Sequence, residues 1–226
     1  MEKIIIDFEG IDGVGKGTQS KILYNKLLSK GYNVNHISFP NYNSFFGKMI
    51  GKYLNGEYGN LSSVPVEFSS LLYALDRWKY FSENNIKNDG SIYIMDRYVP
   101  SNIAHQASKI SHDERKCFID WMMHLEYNIF NIPKPDIVLL LDANPNTTSE
   151  YILKKEKRLY TERKKDIHEQ DQEYLEEVRR IFLELSKSDN TFYIINCTNG
   201  NELQSIDEIS DKIWEIVLKF LNSTDL

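Results

Sequence analysis

The chain has 226 residues, 41% of them hydrophobic, enough to bury a sizeable core as one domain or one domain carrying an insertion. Its 27 basic and 33 acidic residues leave a net charge of −6, so no global field draws it to nucleic acid or to an anionic membrane, and any phosphate affinity must be local. No apolar run approaches the ~20 residues of a membrane span, and residues 1–8 are too short for a signal peptide's hydrophobic region, which predicts a cytoplasmic protein.

The first predicted strand, residues 3–8, runs directly into FEGIDGVGKGTQS, residues 8–20. Gly10 and Gly15 frame four residues ahead of Lys16, so backbone N–H groups can curl around an anion while the lysine reaches the outer phosphates. A helical pattern over residues 19–30, stopped by Gly31, puts those phosphates at a helix N-terminus. Gly17 stands where the usual loop has Ser or Thr, but Thr18 offers a Mg²⁺-binding hydroxyl one residue later, an ending that resembles the phosphate loop of adenylate kinases.

A second strand is predicted over residues 33–39, and Pro65 starts a helical stretch that Gly90 ends. At about 100° per residue, Phe68, Leu71, Leu72 and Leu75 form one apolar stripe, with Tyr73 and Arg77 together on the opposite face. An aromatic ring beside a guanidinium suits a flat base with a carbonyl edge, and equally suits a solvated helix face. The third strand, residues 91–95, ends in Asp96-Arg97, where an Asp can hold Mg²⁺ and an Arg a second phosphate; an ordinary strand-end ion pair has the same sequence.

Strands over residues 136–141 and 191–196 complete a set of five. The runs IIIDF, IYIM and IVLLL are apolar almost throughout, which predicts a parallel sheet covered on both faces, a three-layer α/β fold. Between the last two strands lies KKEKRLYTERKK, residues 154–165, with a local charge of +5. Such runs are commonly solvated helix faces, but the position favours a lid that brings cations over a transferring phosphoryl group. Cys117 and Cys197 form no Cys-x-x-Cys pair and read as core or partly buried thiols, and His168 lacks metal-ligand spacing. The only Asn-Lys in the first half, Asn25-Lys26, is followed by Leu27-Leu28, so guanine has no Asn-Lys-x-Asp reader.

Taken in order, FEGIDGVGK, FPNY, LYALDRW, DRYVPSN, IPKPD and DIHEQD make nearly the whole chain resemble thymidylate kinase, the dTMP kinase of the nucleoside monophosphate kinase group. The resemblance implies a three-layer P-loop fold with a five-stranded parallel sheet, one domain over residues 1–226 with a mobile lid at about 150–170, Mg²⁺, ATP as phosphoryl donor and a homodimer. By position, Gly10, Ile11, Asp12, Gly13, Val14, Gly15, Lys16, Gly17 and Thr18 would bind ATP, and Thr18 with Asp96 the metal. The dTMP site would comprise Asp12, Phe39, Pro40, Tyr73, Arg77, Arg97, Ser101, Asn102 and Gln106, with Tyr73 stacking on thymine, Arg77 reading its 4-carbonyl and Asn102 near N3.

Catalysis would fall to Lys16, Asp12 and Arg97 with a lid arginine, Arg158 or Arg163, because the phosphate loop carries no arginine. Asn41 and Tyr42 stand where many members have an arginine, and His105 where many have a tyrosine associated with excluding a ribose 2′-hydroxyl. The rival readings are a kinase for another monophosphate, such as UMP or AMP, and a non-catalytic nucleotide-binding protein on the same fold.

Overall fold

The computed structural model describes residues 2–60, 63–84, 86, 88–148, 172–200 and 202–224. Five parallel strands form its main sheet: β1 (Ile4–Glu9), β2 (Val34–Ser38), β3 (Ile92–Asp96), β4 (Ile137–Asp142) and β5 (Phe192–Asn196), in the order β2-β3-β1-β4-β5. β1 is buried along its whole length, as expected of a central strand covered on both faces, whereas the edge strand β5 exposes Tyr193 and Ile194. A small hairpin of β6 (Thr198–Asn199) and β7 (Glu202–Leu203) follows it.

The helices are α1 (Lys16–Ser29), α2 (Phe45–Leu54), α3 (Val66–Glu83), α4 (Val99–Ala107), α5 (His112–Met123), α6 (Gln172–Ser188) and α7 (Ile206–Ser223); a π-helical turn, His124–Ile129, extends α5. α1 packs against α7, while α3, α4 and α6 pack side by side. From β1 the chain crosses to β2 on one side, and from β3 it crosses to β4 on the other. The carboxyl ends of β1 and β3 therefore flank the point where the crossovers diverge, the crevice in which open α/β sheets bind ligands.

Three expectations need correction. The apolar stripe predicted on α3 is not its buried face: Ser69, Ser70, Leu72, Ala74, Asp76 and Arg77 are buried, and Phe68 remains 40% exposed. Periodicity located the helix and the stripe, but apart from Leu72 the stripe lies outward, because the inner face meets α4 and the loop after β2 through polar groups of Ser69, Ser70 and Asp76. The same helix ends at Glu83 and not at Gly90, since Asn84 leaves helical geometry at φ −119°, ψ 110°. Of the two cysteines only Cys197 is buried; Cys117 is exposed on α5. The lid expected at about 150–170, with Arg158, Arg163 and His168, lies outside the described residues.

Candidate active site

Chain geometry at the end of β1 is forced by close approach. Gly10 has φ 135°, and a Cβ there would stand 2.3 Å from the Leu141 carbonyl oxygen of β4. Gly15, at φ 101°, caps α1, and its carbonyl accepts from the N–H groups of Thr18 and Gln19 at 3.0 Å each. Lys16 Nζ donates to the carbonyls of Gly10 (2.8 Å) and Ile11 (2.7 Å), closing the loop around its ammonium. Ile11 and Val14 bury their side chains in the core, so at these two positions only backbone can face a ligand.

Gly17 finds a local reason. A Cβ at this position would lie 3.0 Å from Asp96 Oδ2, so a Ser or Thr would crowd the carboxylate that ends β3. The Asp96 carboxylate makes no hydrogen bond or ion pair among the described residues, and it shares a cavity with the exposed Thr18. A hard oxygen ligand and a hydroxyl beside a phosphate loop fit Mg²⁺, which takes one or two protein oxygens and completes its shell with phosphates and water. Among the described residues no group of three or more His, Cys, Asp or Glu could hold a metal by itself.

On the other side of the cavity Arg97 adopts the left-handed region at φ 69°, uncommon for a non-glycine residue. Its guanidinium forms an ion pair with Asp12 and donates through Nη1 to Ser101 Oγ at 3.1 Å. Burial opposes its charge, but Asp12, Glu9 and Asp96 outweigh it and hold Arg97 protonated. Glu9, the last residue of β1, accepts from the N–H groups of Tyr98 and Ser101 at 2.9 Å each and from the Ser101 hydroxyl, satisfying donors at the start of α4.

His105 Nε2 lies 3.5 Å from Arg97 Nη1, and burial, reinforced by Arg97, pushes its pKa down to about 3. A guanidinium has only donors, so Nε2 is the bare nitrogen and Nδ1 carries the proton. Nδ1–H donates to Tyr174 Oη at 3.0 Å, and the Tyr174 hydroxyl donates to the His105 carbonyl at 3.1 Å.

α3 contributes Asp76 and Arg77, which do different work. Asp76 accepts from the Asn41 N–H (2.7 Å) and from Ser44 Oγ (2.5 Å), tying the loop after β2 to α3; Gly47 allows the approach, since a Cβ there would meet the Asn41 carbonyl at 1.8 Å. Arg77 is fully buried against Glu126, donating from Nε to Oε2 at 2.6 Å and from Nη2 to Oε1 at 2.5 Å. Burial again disfavours the guanidinium charge, and Glu126 reverses the balance. Asn102 Nδ2 donates to the Ser70 carbonyl (3.0 Å) and to Glu126 Oε1 (3.1 Å), which leaves Asn102 Oδ1 buried without a hydrogen-bond partner.

All nine residues expected at the dTMP site, Asp12 among them, line one cavity of about 820 Å³ together with Gly13, Gly15, Lys16, Gly17, Thr18 and Asp96. Of the residues that depart from the family pattern, Tyr42 and His105 line it as well, while Asn41 does not. Sequence reasoning missed Glu9, Asp76 and Glu126, carboxylates that act through another residue. The available signal was an acidic residue inside an apolar stretch, as in IIIDFE and HLEYNI.

The family model described as Thymidylate kinase matches residues 8–212. A probable thymidylate kinase of Sulfolobus acidocaldarius is 37% identical over 221 residues, covering 96% of this chain and 98% of that protein. The thymidylate kinase of Plasmodium falciparum is 28% identical over 202 residues, 89% of this chain and 84% of that one. The solved structure of thymidylate kinase from Candida albicans superposes with a TM-score of 0.72 at 26% identity, covering 98% of this chain and 93% of that chain.

Proposed function

Since the chain belongs to the thymidylate kinase family and phosphorylates dTMP to dTDP with ATP, we propose that the cavity between β1, β3 and α3 is where the two nucleotides meet. The loop from Gly10 to Thr18 holds the donor phosphates on its N–H groups, and Lys16 exchanges two loop carbonyls for phosphate oxygens. Thr18 and Asp96 would hold Mg²⁺, which would offset the negative charge of the donor phosphates. Arg97, anchored by Asp12 and Ser101, places the acceptor phosphate. An acceptor phosphate oxygen is already a good nucleophile, so no general base is required and catalysis is positioning plus charge neutralisation. Arg158 or Arg163 supplies the remaining cation from a lid at about 150–170 of a single catalytic domain.

The observation that carries base choice is the buried, unpartnered Asn102 Oδ1 beside Arg77. With Arg77 Nε and one Nη2 proton committed to Glu126, Arg77 keeps donors for a carbonyl, and Asn102 offers an acceptor for an N–H. Thymine presents O4 and N3–H to that pair, while cytosine presents an amino group and a bare nitrogen and would leave both protein groups unpaired. Tyr73 supplies the stacking ring, and Phe39 and Pro40 a wall.

A coupled assay of ADP release tests this with dTMP, dUMP, dCMP, UMP and AMP. The methyl group should favour dTMP over dUMP by roughly 10- to 200-fold, and dCMP should be rejected more strongly. Equal turnover of dCMP and dTMP would sink the base assignment, and absence of ADP release would favour a non-catalytic binding protein.

The homodimer implied by the family has support on α3. Phe68 and Trp78, each 40% exposed, lie with Leu71 and Leu75 along the outer side of that helix, an apolar stripe that a second copy would cover.

A further inference from the structure

Beyond Asn102 the cavity is lined by Gln106, and behind Gln106 stand side chains that have no part in the binding described so far. Lys109, just past α4, donates from Nζ to Tyr53 Oη and to Gln106 Oε1 at 2.6 Å each, and its ammonium lies 5.2 Å from the Tyr53 ring centroid. No carboxylate stands within ion-pair distance of it among the described residues, and burial pushes its pKa down to about 7. A partly buried ammonium with no counter-charge opposes folding, so its retention against a cavity-lining side chain calls for a use.

The hydrogen-bond directions supply one. An ammonium has only donors, so the Gln106 atom 2.6 Å from Lys109 must be the amide oxygen. Ser69 Oγ donates to the same oxygen at 2.7 Å. The Lys109 contact fixes the amide against a flip, the single Ser69 hydroxyl proton then goes to Oε1 rather than to the Val66 carbonyl 3.1 Å away, and Gln106 Nε2 is left buried without a partner. Asn102, four residues earlier on the same face of α4, is fixed in the opposite sense, its amide nitrogen committed to Ser70 and Glu126 and its oxygen unpartnered. Arg77 joins the row by sharing Glu126 with Asn102. The order donor, acceptor, donor along Arg77, Asn102 and Gln106 is the complement of the O4, N3–H, O2 edge of thymine.

We propose that Lys109 and Ser69 are positioning residues that hold Gln106 with Nε2 as donor to the base O2, the third point of a reading that spans the whole imide edge. The inference rests on dTMP being the acceptor. It separates this end of the pocket from Arg77 and Asn102, which read O4 and N3–H.

Steady-state kinetics with dTMP, 2-thio-dTMP and 4-thio-dTMP test it, because sulfur is a weaker acceptor than oxygen. Gln106→Ala should raise KM for dTMP by about 3- to 10-fold, the worth of one neutral hydrogen bond, raise it similarly for 4-thio-dTMP, and change it little for 2-thio-dTMP. Lys109→Met should raise KM for dTMP in the same direction with little change in kcat. It should add nothing further in the Gln106→Ala background, and Lys109→Arg should recover part of the loss. A folded Lys109→Met enzyme with unchanged KM, or an effect fully additive with Gln106→Ala, would overturn the proposal. If Lys109→Met does not fold, Ser69→Ala removes the other donor to Gln106 Oε1, and the same cycle then supports or overturns the proposal on the same two criteria. Wild-type protein inactive on dTMP would remove the underlying reading and the inference with it; an active wild type with a null cycle removes the inference alone.

Discussion

Lys16 is bound to two carbonyls of its own loop, so a phosphate must compete for an ammonium that is already satisfied. Lys16→Met keeps the stem and deletes the donors; it is expected to lower dTMP phosphorylation by at least about 10²–10³-fold with an unchanged circular dichroism spectrum. Wild-type turnover in the folded variant would take this lysine out of the mechanism. Asp7 makes a different prediction. It is fully buried in β1, no donor other than a shared proton of Glu9 reaches its carboxylate among the described residues, and Glu9 lies on the same strand face two residues on. Burial first, then the Glu9 charge, pushes the Asp7 carboxyl well above the usual carboxylate range. The folded chain then keeps a proton that the unfolded chain releases near pH 3.9, so this residue's contribution to stability falls as pH rises from about 4 towards the folded pKa. Asp7→Asn should therefore raise Tm at pH 7 and give no gain near pH 4, which a pair of thermal melts would check. The phosphate loop was legible from its spacing, whereas Tyr73, Arg77 and Arg97 suited a solvated face or an ion pair equally well until the family resemblance placed them, and the structure sets all three on one cavity. Glu9, Glu126 and Lys109 were not, since a carboxylate or ammonium that acts by orienting a neighbour looks like any surface charge until burial is known.

Strand positions were legible to within about a residue, because the apolar runs of β1, β3 and β4 need cover on both faces, whereas helix bounds were looser, α3 stopping at Glu83 rather than Gly90. The inner face of α3 was not legible. Hydrophobic periodicity assumes that a helix turns its apolar side inward, and α3 instead buries Ser69, Ser70 and Asp76 against α4 and the loop after β2 and turns Tyr73 and Arg77 towards the cavity. What starts α4 was equally hidden, because the acceptor for its first N–H groups is Glu9, a residue from another element. Glu9→Ala would strand the N–H groups of Tyr98 and Ser101 in a buried setting, for a loss on the order of 2–5 kcal/mol by urea titration. It should also weaken dTMP binding, since Arg97 and Ser101 share that turn. A loss under about 0.5 kcal/mol would mean that those donors find other partners.

At the scale of the whole molecule, the stripe from Phe68 to Trp78 predicts self-association. Phe68→Glu with Trp78→Glu should halve the mass seen by sedimentation velocity, and an unchanged mass would place the interface elsewhere. The strand order has a further effect on how this chain comes into being. β1 is synthesised first, yet Ile4 pairs with Ile92 and Ile6 with Ile137, so at ~5–20 residues per second the strand waits on the order of ten seconds for its neighbours. Throughout that wait Ile4, Ile5, Ile6 and Phe8 form a short, β-prone, sticky segment, interrupted only by Asp7, which is ionised while water surrounds it. Asp7→Val should thus increase light scattering during refolding from urea, and a refolding yield equal to wild type would leave the interruption without effect. On this view one carboxyl group serves the nascent chain as a charged gatekeeper and then, as the sheet closes over it, favours its neutral form, so the residue that weakens the finished sheet is the one that helps the chain to reach it.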